Sequence, residues 1–273
     1  MKNILVINDF SPEAGHALAY GTMMATVFGT KLYVWNIEYN RITKAVKELV
    51  CVSSKSTNAA INFTINNSAS HTTDKANYVS TTTLSDLDTD NLSVHEVVVK
   101  YEVQLIIKGV NSIFSPLDQF AAKALATSYC PLLLVPQHAS LKPLKRMVYM
   151  ADLRYCRIPV FNYLKEVAKN FNSGSAIAQT SASGLPDVEE NYGKSLYEAF
   201  VKANSSSNTS IDYTFNHIKE RNTKKAADVL VHMMHTDFIA MAYRKFHFTS
   251  LTSQDNHLPG VHHIPVPVML FPS

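Results

Sequence analysis

The chain is poor in charge, in cysteine and in long apolar runs. Asp, Glu, Lys and Arg make up only 17% of its 273 residues, and 25 basic against 22 acidic residues leave a net charge of +3. This balance does not favour nucleic acid as a partner, because phosphate binding needs basic residues clustered on one face and the sequence contains no basic run. With 46% hydrophobic residues the chain can bury a core, which excludes an intrinsically disordered protein.

No segment approaches the roughly 18 uninterrupted apolar residues that a membrane helix needs, so we expect no membrane partner. The sequence opens on a four-residue apolar run, Ile4–Ile7, which is too short for a signal peptide. Its three cysteines, Cys51, Cys130 and Cys156, match neither a zinc-binding nor a redox spacing. We therefore expect a soluble, cytoplasmic protein in which Cys130 and Cys156 are inert core thiols.

The first elements of the chain read as strand, helix, strand. The apolar run Ile4–Ile7 is followed by Ser11, which can cap a helix, and by Pro12, which suits the first helical position. Apolar residues then recur at helical spacing until Gly29, a residue typical of helix ends. A second strand, Lys31–Ile37, follows directly. Strands that alternate with helices favour parallel pairing and a doubly wound α/β sheet.

The remainder of the first half continues this alternation across a Ser/Thr/Asn-rich stretch between Ser53 and Ser93. Helical spacing, apolar runs and turn residues identify its elements. They are a helix over 42–52, a strand near Tyr78–Thr83, a helix over Val94–Tyr101, a strand over Val103–Lys108, a helix opened by Ser115 and Pro116, and a closing strand over Cys130–Pro136.

The second half of the chain repeats the order of the first half. Three segments recur at offsets of 143, 133 and 136 residues, as expected of a duplicated domain whose loops have drifted in length. The pairs are Leu5–Asp9 with Met147–Asp152, Gln104–Gly109 with Asp237–Ala242, and Cys130–Pro136 with Val266–Pro272. A polar link at 137–145 separates the halves, so we predict one domain over 1–138 and a second over 145–273.

These segments, in this order and spacing, resemble a universal stress protein domain. The resemblance rests on Ile4–Ser11, the helix that ends at Gly29, the strand that ends at Gly109 and the closing strand Cys130–Pro136, and it extends more faintly over the second half. It implies an α/β fold of two tandem doubly wound, mostly parallel five-stranded sheets with helices on both faces. It also implies that the two closing strands pair across an internal pseudo-twofold axis, which makes the chain a pseudo-dimer and leaves a further homodimer open.

Some members of that family bind ATP or another adenine nucleotide through a loop written G-x2-G-x9-G-S/T. Glycines in such a loop let backbone N–H groups approach phosphate oxygens. In this chain the loop begins at Gly109, but Ser112 takes the place of the second glycine. Asp118 and Gln119 stand where Gly and Ser/Thr would be, after five residues rather than nine, and Ser115 can cap the helix there. We therefore expect a degenerate loop that does not bind ATP tightly.

The resemblance leaves a vestigial nucleotide cleft in the first half, suited to a small adenosine-like ligand. Its residues are Asn8, Asp9, Ile37, Gly109 and Ser112. The second half, where Ala242 and Lys245 replace the first two glycines, is expected to be a structural partner. Asp9 and Asp152 match the family's aspartate near the adenosine moiety, but each is equally well placed to cap the following helix, and both interpretations stay open.

Histidines are concentrated near the end of the chain. Seven of the eleven lie between His217 and His263, including His232 and His235, which would share one face of a continuing helix. No spacing matches a structural zinc site, so we expect no metal. No G-x-S-x-G elbow occurs, and we expect no catalytic residue.

The sequence thus favours a non-enzymatic cytoplasmic stress-response protein without a cofactor. It would act through protein partners that no motif identifies, or through a small ligand in the first-half cleft. The alternative is an ATP or AMP sensor, acting with magnesium, in which Gly109 and Ser112 still hold phosphates. A third interpretation gives the region His217–His263 a metal-linked or pH-sensing role.

Overall fold

The part of the chain that the structure describes forms ten strands and six α-helices. The computed structural model describes residues 2–37, 79–84, 92–113, 119–181, 185–204, 213–242 and 264–272. The strands are β1 (Asn3–Asn8), β2 (Leu32–Asn36), β3 (Thr81–Leu84), β4 (Val103–Val110), β5 (Leu132–Pro136), β6 (Arg146–Ala151), β7 (Gly174–Thr180), β8 (Tyr213–Ile218), β9 (Phe238–Ala242) and β10 (Val268–Phe271). The helices are α1 (Pro12–Phe28), α2 (Val94–Lys100), α3 (Gln119–Thr127), α4 (Ile158–Phe171), α5 (Glu190–Asn204) and α6 (Thr223–Asp228), with a 3-10 turn at Leu153–Tyr155 and a π-helical turn at Val229–Met233.

The opening strand, helix and strand form from local signals, as the sequence predicts. Ser11 is the N-cap of α1, and its Oγ accepts a hydrogen bond from the Ala14 N–H at 3.2 Å. Pro12 is the first residue of the helix, and Gly29 ends it in the left-handed conformation at a φ of 62°. β2 then pairs in parallel with β1, which confirms the predicted parallel arrangement.

One antiparallel pairing joins the two halves of the chain. The sheet order is β3-β2-β1-β4-β5-β10-β9-β6-β7-β8, and β5 runs antiparallel to β10 with Leu133 opposite Met269. The pairings within each half are parallel. Each half contributes five strands and the closing strands pair as predicted, so the two five-stranded sheets join into one ten-stranded sheet.

Helices cover both faces of this sheet, and both cores draw on both halves of the chain. On one face, α1 and α4 bury residues such as Met24 and Leu164 against the sheet. On the other face, α2, α3 and α6 bury residues such as Val97 and Ala226. Because these two core clusters both contain side chains from both halves, burial of apolar surface holds the halves together as well as folding each of them. A third, smaller cluster around Phe161 belongs to the second half alone.

Equivalent residues of the two halves meet at the junction between them. Phe28 at the end of α1 and Phe171 at the end of α4, 143 residues apart, contact each other edge to face with ring centroids 5.5 Å apart. The residues that follow, Gly29 and Asn172, both end their helix in the left-handed conformation. Contacts between equivalent residues are what an approximate twofold axis produces.

The first and fourth strands of each half are connected by the same kind of hydrogen bond, from a backbone N–H to a side-chain oxygen. Gln104 Oε1, at the start of β4, accepts a hydrogen bond from the Lys2 N–H at 2.8 Å. At the equivalent place in the second half, Asp237 Oδ2 accepts one from the Lys145 N–H at 3.0 Å. This shared device supports the internal repeat that the sequence suggests.

Some predicted elements fall outside the described residues. These are the helix over 42–52, most of the polar stretch 53–93, the helix start at 115–118 and the second-half loop around Lys245. The strand expected near Tyr78–Thr83 is found at Thr81–Leu84, as the edge strand β3. The division into domains at 1–138 and 145–273 stays a prediction.

None of the helices in the described part of the chain is both long enough and apolar enough to cross a membrane.

Two tyrosines at equivalent positions of the halves should respond differently to replacement by phenylalanine. Tyr163 donates a hydrogen bond to the Gln104 carbonyl at 3.1 Å, whereas the buried hydroxyl of its equivalent, Tyr20, has no partner among the described residues. Tyr163→Phe should therefore lower the free energy of unfolding by about 1 kcal/mol, and Tyr20→Phe should change it by less than about 0.5 kcal/mol. Urea unfolding of both variants checks this, and equal losses would contradict it.

Candidate functional site

The residues predicted for the first-half cleft lie at the carboxyl ends of β1, β2 and β4, and several of them hydrogen-bond to one another or to a neighbouring strand end. Asn8 Nδ2 donates a hydrogen bond to Asn36 Oδ1 at 2.8 Å, which bridges the ends of β1 and β2. The Ile37 N–H donates to the Asn8 carbonyl, also at 2.8 Å. These groups satisfy one another, which leaves fewer of them to bind a ligand.

Asp9 is held in a nearly buried ion pair. Its Oδ2 accepts a hydrogen bond from Lys108 Nζ at 2.9 Å, and the exposed fractions of the two side chains are 13% and 7%. Its Oδ1 accepts from the Ser11 N–H and Oγ–H. Burial alone would raise the pKa of the Asp9 carboxyl, but the hydrogen bonds from Ser11 and Lys108 outweigh it and hold that pKa below its ordinary value. Asp9 therefore positions the capping residue of α1 rather than capping the helix itself.

Gly109 is needed for the close approach of α1. A Cβ built at this position would lie 2.2 Å from the Glu13 carbonyl oxygen and 2.8 Å from the Ala14 nitrogen. The first turn of α1 thus lies directly against the backbone of β4. This packing accounts for the glycine without any phosphate.

Ser112, the fifth residue predicted for the cleft, is half-buried just beyond the end of β4. Asp118, on which the expectation of a degenerate loop depends, lies outside the described residues. The degenerate loop therefore stays a prediction.

A pocket opens instead in the second half, at the carboxyl ends of β6, β7 and β9. Its lining includes Asp152, Thr180, Glu220, Arg221, Met150 and Met241. Its cavity has a volume of about 30 Å³ and opens to solvent. Polar groups over an apolar floor at the carboxyl edge of a parallel sheet are typical of ligand sites in α/β proteins.

One sequence difference between the two repeats distinguishes the pocket from the first-half cleft. In β4, Lys108 lies beside Ile7 of β1, and in β9, Met241 lies beside the equivalent Met150 of β6. Met241 therefore occupies the place of Lys108. A thioether cannot bridge to the strand-end aspartate, and Met241 lines open space where Lys108 forms its ion pair.

The aspartate of the second half turns to a local partner. Asp152 is buried, and its two carboxylate oxygens accept hydrogen bonds from Arg154 Nε at 2.9 Å and Nη2 at 2.6 Å. Its Oδ1 also accepts from the Arg154 N–H, so Asp152 caps the 3-10 turn. Of the two interpretations that the sequence left open, capping is thus observed for Asp152.

The segment before α5 is fastened to the rim of the pocket by three contacts. Arg221 Nε donates a hydrogen bond to Asp187 Oδ1 at 2.7 Å, and this contact lowers the pKa of Asp187. The Val188 N–H donates to Ser181 Oγ at 3.0 Å, and His217 Nε2 donates to the Val188 carbonyl at 2.7 Å. Arg221 and Ser181 both line the pocket, so this segment helps to fix their positions.

Sequence reasoning missed this pocket because it assigned the second half a purely structural role. A signal was present in the aligned repeats: Gln104–Gly109 and Asp237–Ala242 carry lysine and methionine, respectively, at the matching position. Its meaning depended on knowing that the lysine reaches Asp9, which lies 99 residues away in the sequence.

The histidines and cysteines form no site in the part of the chain that the structure describes. No group of three or more potential metal ligands occurs there, and His232 pairs with Asp228 on its own helical segment. His235 would share that face only if the helix continued to it, and the π-helical turn ends at Met233, so this condition is not met. Burial raises the pKa of Cys130 to about 12 and that of Cys156 to about 11, which suits inert thiols.

The fold matches solved structures of universal stress proteins along nearly its whole length. A universal stress protein from Archaeoglobus fulgidus DSM 4304 superposes with a TM-score of 0.61 at 12% identity, over 98% of this chain and 97% of that one. A putative universal stress protein from Pseudomonas aeruginosa gives 0.56 at 11% identity, over 98% and 92% of the two chains. The resemblance inferred from the sequence is confirmed at the level of the fold. No protein-family model and no curated protein sequence matches the chain.

The buried ion pair predicts that replacing its lysine destabilises the protein in a pH-dependent way. Lys108→Met should lower the free energy of unfolding by about 3 kcal/mol near neutral pH, because it leaves the Asp9 carboxylate buried without its cation. The folded-state pKa of Asp9 lies below its unfolded value of about 3.9. Its stabilising contribution is therefore present above about pH 4 and is lost as the pH falls through the folded-state pKa.

Urea unfolding between about pH 7 and pH 3 checks this prediction. The difference between wild type and Lys108→Met should shrink as the pH falls, because a protonated Asp9 no longer needs the lysine. Lys2→Met is the control: its pair with Glu102 is more than half exposed on both sides and should contribute less than about 0.5 kcal/mol. A difference that stays constant with pH would contradict the assignment.

The close approach at Gly109 predicts a steric effect. Gly109→Ala should lower the free energy of unfolding by about 2 to 3 kcal/mol, because α1 must shift to admit the Cβ. Gly15→Ala is the matched control, since a Cβ there meets nothing within 4 Å and should stabilise the helix by about 0.5 kcal/mol or more. Thermal unfolding of both variants decides the matter, and a Gly109→Ala protein of wild-type stability would refute the packing role.

Proposed function

We propose that this chain is a non-enzymatic stress-response protein of the universal stress protein superfamily that binds a small ligand in its second half and signals through protein contacts. The fold, shared with universal stress proteins, supports the superfamily. The proposal moves the ligand from the first-half cleft, where the sequence placed it, to the pocket beside Met241.

The observation that supports this proposal is the difference between Lys108 in β4 and Met241 at the matching position of β9. In the first half, the lysine crosses to Asp9 and forms an ion pair at the strand ends. In the second half, the methionine at the matching position lines a pocket, and Asp152 pairs with Arg154 instead. This difference is why the proposal places the ligand in the second half.

The chemistry of the pocket supports binding without catalysis. The Oγ of Ser181, a nucleophile by type, already accepts a hydrogen bond from the Val188 N–H. The nearby histidine, His217, uses its Nε2 on the Val188 carbonyl rather than on a serine. Ser181 also hydrogen-bonds to the Asp187 carboxylate, but the hydrogen bond from Arg221 lowers the pKa of that carboxyl, which makes Asp187 a weak general base.

Reciprocal substitutions test this proposal. Met241→Lys introduces into the lining of the pocket the lysine that the first half has at the matching position, so it should abolish ligand binding there. Met241→Leu keeps an apolar side chain of similar volume and should preserve binding. Native mass spectrometry of the protein, before and after incubation with the small-molecule fraction of a cell extract, measures the bound mass. A ligand present at about 100 times its Kd should also stabilise the protein by roughly 2.7 kcal/mol.

The same measurement also tests the alternative function, that of an ATP or AMP sensor. ATP, AMP and adenosine are titrated with Mg²⁺ into wild type, Met241→Lys and Lys108→Met. Nucleotide binding that Met241→Lys leaves intact and Lys108→Met alters would favour an ATP or AMP sensor built on the first-half cleft. If no bound mass is detected under any condition, the proposed ligand is contradicted, and only the part of the proposal that concerns protein contacts remains.

A further inference from the structure

The amino ends of β6 and β9 form an edge of the second half that lies opposite the pocket. Lys145 and Arg146 lead into β6, and the turn at 233–237 leads into β9, which pairs in parallel with β6. Arg146 Nη1 donates a hydrogen bond to the Met234 carbonyl at 2.8 Å. Asp237 Oδ2 accepts hydrogen bonds from the N–H groups of Lys145 and Arg146, so this carboxylate is used within the fold.

The first half has the same edge with different side chains. Asn3 Nδ2 donates a hydrogen bond to the Tyr101 carbonyl at 2.8 Å, as Arg146 does to its own partner carbonyl in the second half. The residues that follow these two carbonyls, Glu102 and His235, both have a positive φ, of 50° and 52°. The two edges therefore correspond residue by residue.

The differences between the two edges favour an anionic partner for the second. In the first half, Glu102 pairs with Lys2 at 3.4 Å. In the second half, Lys145 takes the place of that lysine, but His235 takes the place of the glutamate. Arg146 stands where the first half has an asparagine, and a guanidinium has five N–H donors. Arg146 can therefore bind a carboxylate in addition to the backbone carbonyl that holds it.

The link that leads into this edge is basic as well. Residues 119–151 form the longest stretch of the sequence without Asp or Glu, and they include Lys142, Lys145 and Arg146. Lys142 and Lys145 are exposed. An acidic chain that approaches this edge thus meets several cations close together in the sequence.

Exposed apolar side chains lie among these cations. Met233, which stands where the first half has Lys100, is 77% exposed, and Leu141 on the link is 47% exposed. Methionine adapts its shape to different partners and is common at surfaces that bind other proteins. The edge can therefore contact apolar as well as acidic side chains.

We propose that this basic edge docks an acidic segment of a partner protein. The basic edge consists of Leu141, Lys142, Lys145, Arg146, Met233 and His235. Carboxylates of the segment bind the Lys and Arg side chains, and an apolar side chain packs on Met233. The edge is separate from the ligand pocket of the proposed function and gives its protein contacts a place. Three Lys or Arg side chains favour a protein over a membrane, because membrane surfaces attract clusters of about four to eight.

Three labelled peptides of equal length test the proposal by fluorescence anisotropy with the full chain. The first carries glutamates around a pair of leucines, the second has glutamine for each glutamate, and the third has alanine for each leucine. The first should bind most tightly, by roughly tenfold over the second, because the charge-assisted contacts are lost there. The third should bind more weakly than the first, and binding of the first should weaken as salt is added.

Two variants locate the binding surface. His235→Glu restores the residue that the first half has at the same positive φ, so the protein should fold, and the new carboxylate should weaken the first peptide's binding severalfold. Lys142→Glu, on the exposed link, should weaken it as well. Lys123→Glu, the same charge reversal at an exposed position of α3, is the matched control and should leave binding unchanged.

The remaining outcomes each count against the basic edge. Equal binding of the first two peptides, no effect of His235→Glu and Lys142→Glu, or no binding at millimolar concentration would overturn the proposal. Sedimentation with phosphatidylserine vesicles that Lys142→Glu weakens would assign the edge to a membrane instead. Met241→Lys changes the pocket at the opposite ends of the same strands and should leave peptide binding intact. A failure of the edge is therefore distinguishable from a failure of the ligand pocket.

Discussion

The antiparallel seam between β5 and β10 is the constraint on which the rest of the structure depends. At its centre, Leu133 faces Met269, and both side chains are fully buried. Without this pairing, each half would present an unpaired edge strand built almost wholly of apolar residues. The contact between Phe28 and Phe171 closes the same junction in the helical layer, and the two cores then run without interruption through both halves.

How much could be predicted from the sequence depends on how far apart in the chain the interacting residues lie. The start and end of α1 could be predicted because Ser11, Pro12 and Gly29 act within one turn of the helix. The closing strands could be paired because a family resemblance supplied the long-range contact. The role of Gly109 could not be predicted, since the carbonyl of Glu13 that requires it is brought there only by the fold.

The site was the harder part for the same reason. Asn8, Asp9, Ile37 and Gly109 do lie at the strand ends of the first half, where the sequence placed them. What could not be predicted is that Lys108, from a strand 99 residues away in the sequence, pairs with Asp9 there. His235 lies beyond the end of the helical segment, at a φ of 52°, and the spacing of His232 and His235 alone could not tell where that segment ends.

The link at 137–145 is itself fastened to the first half, because His16 Nε2 donates a hydrogen bond to the Ala139 carbonyl at 2.8 Å. Because this link joins the two halves in one chain, the two equivalent sites can change independently of each other. In a dimer of identical subunits, any single substitution appears twice and alters both sites at once. Here a substitution alters one half only. Lysine in β4 and methionine at the matching position of β9 are one such difference: the first half has an internal ion pair at this place, and the second half has a side chain that lines a pocket.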